Sequence, residues 1–175
     1  MIPLKNSLQI AEMKKAGRIT AEAMAVARDA IREGVSTYEI DRVIRRYIER
    51  NGARPTFLGY GGFPGSACIS INDEVIHGIP SRDKILKEGD IVKIDVGAFY
   101  RGFTGDMART FPVGNISEEA KRLLEVTKRS FYCIVTNCAE KMTNMAQTYG
   151  QVVQLVRMPA CHAGGHEFEP RLGRQ

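Results

Sequence analysis

IVKIDVGAFYRGFTGDMARTF, residues 91–111, holds two runs of apolar and β-prone residues separated by Arg101-Gly102. That pattern reads as two strands joined by a two-residue hairpin turn. With two residues in the turn, Tyr100 lies opposite Phe103 and Asp95 opposite Ala108. Opposed residues share a face of the sheet, and so do residues two apart on one strand. Asp106 therefore stands on the same face as Asp95, a diagonal neighbour roughly 7 Å away between backbones. A two- or four-residue loop keeps this parity, and a three-residue loop breaks it.

Two aspartates on one face of a mostly apolar hairpin need a reason. Buried without partners they would repel each other and lose hydration. Bridging one or two divalent cations removes both costs, because metals ~3.5–4 Å apart suit carboxylates at this separation. The alternatives are that both face solvent, or that they pair with Lys93 and Arg109. The spacing alone leaves these open.

Working outward, Lys87-Glu88-Gly89-Asp90 is a turn into the first strand of the hairpin. After Gly114, Ser117 with Glu118 and Glu119 starts a helix with Ala120, Leu123, Leu124, Thr127 and Phe131 inward. Upstream, Cys68–Ile71 and Glu74–Ile79 read as strands around an Asn72-Asp73 turn, and Phe57–Pro64 is a Gly- and aromatic-rich loop. Residues 7–33 show helical spacing through Ile10, Met13, Ile19, Ala23, Val26, Ala27, Ala30 and Ile31. A second helix begins at a Ser36/Glu39 capping box, carries Ile40, Val43, Ile44, Tyr47 and Ile48 as its stripe, and ends at Asn51-Gly52.

His77, in SINDEVIHGIP, sits at a predicted strand end, where an imidazole can donate to a substrate carbonyl or move a proton. A histidine satisfied by a local hydrogen bond is the equal alternative. Phe57, Tyr60, Phe63 and Cys68 could line an apolar pocket or simply pack the loop.

At 43% hydrophobic and 26% charged the chain has the composition of an ordinary soluble globular protein. Its apolar runs are too short for a membrane helix, and its N-terminus has no apolar signal core, so cytoplasmic residence is the expectation; a monomer is expected as well. The net charge of +5 is spread along helices beside acidic residues, which argues against specific DNA binding. A basic surface leaves room for weak affinity to ribosomal RNA. The four cysteines (Cys68, Cys133, Cys138 and Cys161) form no CxxC pair, which argues against a disulfide framework.

Taken together, FLGYGGFPGSACISINDEVIHGIP and LKEGDIVKIDVGAFYRGFTGDMARTFPVG, with the IAEMKKAG opening, closely resemble type I methionine aminopeptidases over about residues 5–132. The resemblance implies an α/β (α+β) chain of the pita-bread fold, here its N-terminal half with a curved antiparallel sheet and flanking helices. It implies two divalent metal ions (Co, Mn, Fe or Zn), Asp95 as a bidentate ligand and Asp106 as a bridging one. It also implies His77 in contact with substrate, and Phe57, Tyr60, Phe63 and Cys68 as the wall of a methionine side-chain pocket. The substrate would be the N-terminal Met of peptides and nascent proteins, with the ribosome as a candidate partner. The GYGGFP loop favours this enzyme over the sibling X-Pro peptidases.

The same resemblance implies a His in a GHGIG-type motif and two later glutamates, and none occurs here with its motif. GGHEFEP, with His166, Glu167 and Glu169, lacks the flanking glycines and the long gap to the glutamate. Residues 133–175 are expected to be a diverged, poorly patterned and partly disordered tail. An altered reading frame and a diverged terminus both stay open as its origin. Two of five ligands imply weak or absent activity for the chain alone, and the alternative function is a non-catalytic binding module of the same fold at the ribosome or nascent chain.

Overall fold

The structure, a computed structural model, describes residues 4–149. They fall into two compact units, residues 7–116 and a second made of 4–6 and 117–149. The first holds helices α1 (Ser7–Ala30) and α2 (Thr37–Arg50), strand β1 (Arg54–Pro55), a 3-10 turn (Tyr60–Gly62), and strands β2 (Ala67–Ile71), β3 (Ile91–Tyr100) and β4 (Phe103–Pro112).

The hairpin forms as its sequence predicts. Tyr100 pairs with Phe103 and Asp95 with Ala108. Arg101 (φ 45°) and Gly102 (φ 90°) both take positive φ, the requirement of a type I′ turn whose twist matches its strands. β3 is the centre of a four-stranded antiparallel sheet. β4 runs along one edge, while β2 (Ala67↔Val96 to Ile71↔Val92) and β1 (Arg54↔Phe99) share the other.

Alternation then divides the sheet. Val92, Ile94, Val96 and Ala98 of β3, with Ala67 and Ile69 of β2, are buried in the core with Ile19, Ala23 and Met24 of α1 and Ile40, Ile44 and Ile48 of α2. Small residues let α1 approach closely. A Cβ on Gly105 would stand 2.5 Å from Thr20 Oγ1 and 2.6 Å from the Ala16 carbonyl, so only glycine fits there. α2 starts at the predicted capping box: the Glu39 amide donates to Ser36 Oγ (3.2 Å) and the Ser36 amide donates to Glu39 Oε2 (2.9 Å).

Two expectations are corrected. Residues 74–79 form no strand: after the Asn72-Asp73 turn the chain is irregular, and Val75 and Ile76 are 80% and 67% exposed. Local hydrogen bonds take the place of a ladder. The Ile69 amide donates to the Gly78 carbonyl (2.8 Å), and the Gly78 amide donates to Ser70 Oγ (3.0 Å). The first helix also ends at Ala30 and not near residue 33.

The second unit is helix α3 (Glu118–Tyr149), capped where the Ala120 amide donates to Ser117 Oγ (3.1 Å). It runs through residue 132 without a break. The expected disorder of the chain end and the GGHEFEP histidine and glutamates lie outside the described residues.

Candidate metal centre

The face of the sheet turned away from α1 and α2 carries Lys93, Asp95, Gly97 and Phe99 of β3. Their partners on β4 are Thr110, Ala108, Asp106 and Thr104. Cys68 of β2 is registered directly against Asp95. Asp106 is registered against Gly97, two residues from Asp95 on the same face, which is the diagonal relation the sequence implied.

The two carboxyl groups meet. Burial pushes the Asp95 carboxyl from its ordinary value up to about 6, and the neighbouring Asp106 adds charge repulsion and a carboxyl–carboxylate hydrogen bond. Neither proposed basic partner neutralises them. The Lys93 ammonium donates to the Asn72 carbonyl, and the Arg109 guanidinium lies over the Phe111 ring, 5.5 Å from its centroid.

The aromatic loop docks beside this pair. The Thr56 amide donates to the Gly97 carbonyl (2.9 Å), which brings the 56–63 loop onto the open face. A Cβ on Gly97 would meet the Thr56 side chain at 3.0 Å and the Phe57 ring at 3.3 Å, so Phe57 sits against the strand beside both aspartates. Phe63 is half-buried with its ring edge against Gly65, whereas Tyr60 is 57% exposed at the outer end of the loop. Cys68 is buried. Burial and then the Asp95, Asp106 and Asp41 carboxylates push its thiol up to about 12, so it keeps its proton.

His77 is positioned by its neighbour, because both Gly78 hydrogen bonds anchor the segment to β2. Its backbone takes φ 58°, a left-handed conformation in which His is enriched and which is common at functional positions.

Sequence reading missed two supporting residues. Asp41, on the buried face of α2, accepts from the Ser66 (2.6 Å) and Ala67 (2.9 Å) amides and so fixes the start of β2 beside the site. Its position one residue after Ile40 and three before Ile44 was the available signal. Thr56 is the other: its hydroxyl is buried without a hydrogen-bond partner among the described residues.

The donor set suits a hard divalent cation, since two carboxylates without a cationic partner crowd one polar face. It is partial. Among the described residues no group of three His, Cys, Asp or Glu side chains could hold a metal ion.

Comparison with known proteins identifies the family. Residues 11–173 match the model of metallopeptidase family M24. The chain is 50% identical to the methionine aminopeptidase of Clostridium acetobutylicum over 99% of its own length and 74% of that protein's. It is 42% identical to methionine aminopeptidase 1 of Bacillus subtilis, covering 96% of this chain and 70% of the relative. The crystal structure of the methionine aminopeptidase from Rickettsia prowazekii superposes with a TM-score of 0.71 at 39% identity, over 74% of this chain and 52% of that one. The chain thus spans about half of the solved structure, while the family match itself extends past residue 132. With this fold, the pita-bread fold, and these relatives, the chain belongs to metallopeptidase family M24, among the methionine aminopeptidases.

Proposed function

We propose that the chain carries the aspartate half of the metal centre, and the methionine pocket, of an aminopeptidase that removes N-terminal methionine from nascent proteins. The observation that carries this reading is the Asp95–Asp106 contact on a face lined by Phe57 and Cys68. Asp95 and Asp106 would hold the divalent cations, two in number and of the Co, Mn, Fe or Zn group. When bound, these supply Lewis acidity toward the scissile carbonyl and acidify water.

The chain's own residues do the rest. Phe57, Phe63 and the protonated Cys68 offer an apolar, polarisable wall suited to an unbranched thioether side chain. Tyr60 would close over the substrate from the loop's outer end. His77 donates to the substrate backbone and orients it for attack. Residues 133–175, most of which the family match covers, are proposed as a diverged tail. With only two carboxylates in the donor set among the described residues, metal affinity and turnover by this chain alone are expected to be low. Nascent chains at the ribosome, in the cytoplasm, are the proposed setting, and a monomer the proposed state.

Calorimetric titration of the purified chain with Mn²⁺, paired with mass-spectrometric detection of methionine released from Met-Ala-Ser, tests this. The expected result is weak Mn²⁺ binding that disappears in Asp106→Ala, with slow release of methionine. Mn²⁺ binding unchanged in that variant overturns the assignment of the site.

A further inference from the structure

On the helical side of the sheet, away from the carboxylate pair, the end of α1 and the start of α2 border a cavity of about 480 Å³. Its wall carries four guanidinium groups, Arg32, Arg42, Arg46 and Arg82, with Tyr38 and a single carboxylate, Glu39. Arg42 and Arg46 are one helical turn apart on α2 and so share a face. Arg32 comes from the segment after α1, and Arg82 from the loop before β3.

These separate pieces are held together by backbone hydrogen bonds. The Tyr38 amide donates to the Ser81 carbonyl (3.2 Å), and the Thr37 amide to the Lys84 carbonyl (2.9 Å). The Gly34 amide donates to the Leu86 carbonyl and the Leu86 amide to the Val35 carbonyl, both at 2.9 Å. The 81–86 loop is therefore clasped to the helix start, and Arg82 is carried on a fixed support.

The charges are not balanced locally. Glu39 is committed to its capping box, accepting from the Ser36 amide (2.9 Å) and hydroxyl (2.8 Å). It is the only acid on the wall, which leaves about three positive charges in excess. Among the described residues, none of the four arginines makes a salt bridge. Arg82 and Arg42 lie instead over the Tyr38 ring, 4.3 and 5.9 Å from its centroid. Cation–π contact holds two guanidiniums near one another without neutralising either. A concave surface with several planar, always-charged donors is suited to phosphate, whose oxygens accept bidentate guanidinium hydrogen bonds.

We infer that this cavity is an anion site for a ligand bearing two or more adjacent phosphate groups, separate from the metal centre and independent of the aminopeptidase reading. The test uses the full chain in two arms. Fluorescence anisotropy follows a labelled oligouridylate, and calorimetry follows inorganic triphosphate. The variant is Arg42→Glu with Arg82→Glu. The charge-matched control is Lys14→Glu with Arg18→Glu on the exposed surface of α1, and circular dichroism verifies folding of both.

The expected result is about tenfold or greater weakening in the cavity variant, with the control close to wild type. For the oligouridylate, loss of two phosphate contacts lowers the log–log salt slope by about 1.4. Oligouridylate binding that triphosphate displaces identifies a nucleic-acid backbone as the source; triphosphate binding alone identifies a free oligophosphate. Both support the site. Equal weakening in the control and cavity variants, or binding of neither probe by the folded wild type, overturns it.

Discussion

Replacing Asp106 by asparagine removes a charge while keeping the size and shape of the side chain, and the metal-free protein should become more stable for it. The Asp95 carboxyl is raised from 3.8 to about 6, first by burial and then by Asp106. At ~1.36 kcal/mol per pKa unit, a shift of about two units corresponds to ~3 kcal/mol. Solvent screening at this half-open face reduces that to ~1–2 kcal/mol. Because burial is the larger cause, the share relieved by asparagine is ~0.5–1 kcal/mol, or about 1–4 °C in Tm for a chain of this size.

The pH window follows from the direction of the shift. Between 3.8 and about 6 the folded state holds a proton on Asp95 that the unfolded state has released. Stability therefore falls as pH rises through that window. The advantage of Asp106→Asn should be absent at pH 3.5 and complete at pH 7.5. Thermal unfolding by circular dichroism in chelator, at both pH values, measures it. Added Mn²⁺ should reverse the order, because wild type gains ~2.7 kcal/mol at a hundredfold excess over Kd and the variant loses a ligand. An asparagine variant that is less stable than wild type at pH 7.5 in chelator refutes the reasoning.

Gly105→Ala drives a methyl group into Thr20 Oγ1 and the Ala16 backbone, and should cost ~2–3 kcal/mol in urea unfolding by forcing α1 off the sheet. Asp41→Ala leaves the buried Ser66 and Ala67 amides without their shared acceptor, with an expected loss of ~2–3 kcal/mol and faster hydrogen exchange at those two amides.

The hairpin and the two helices were readable because their signals are local. A turn sequence fixes register, and the capping box names its own helix start. Once Arg101-Gly102 is taken as the turn, the common face of Asp95 and Asp106 follows by counting. The 74–79 segment was misread because its apolar residues Val75, Ile76 and Ile79 resemble a strand, while its backbone is held by Ser70 Oγ, a partner that no periodicity announces. Asp41 was overlooked for the same kind of reason. Its role depends on Ser66 and Ala67, 25 and 26 residues away, and on burial that only tertiary packing creates. Phe57 and Cys68 were named through family resemblance; docking of the 56–63 loop on Gly97 brings Phe57 beside the aspartates, and the β2–β3 register brings Cys68 there.

The type I′ turn at Arg101-Gly102 has a consequence in time as well as in space. The two aspartates are brought together by a connection of only two residues, so their approach requires little loop-closure entropy. A hairpin of this kind closes in about 1–10 μs. The Arg101–Glu12 hydrogen bond, by contrast, spans 89 residues of chain. The carboxylate pair can therefore assemble before the helices dock, so both carboxylates stand side by side while most of the fold is still forming.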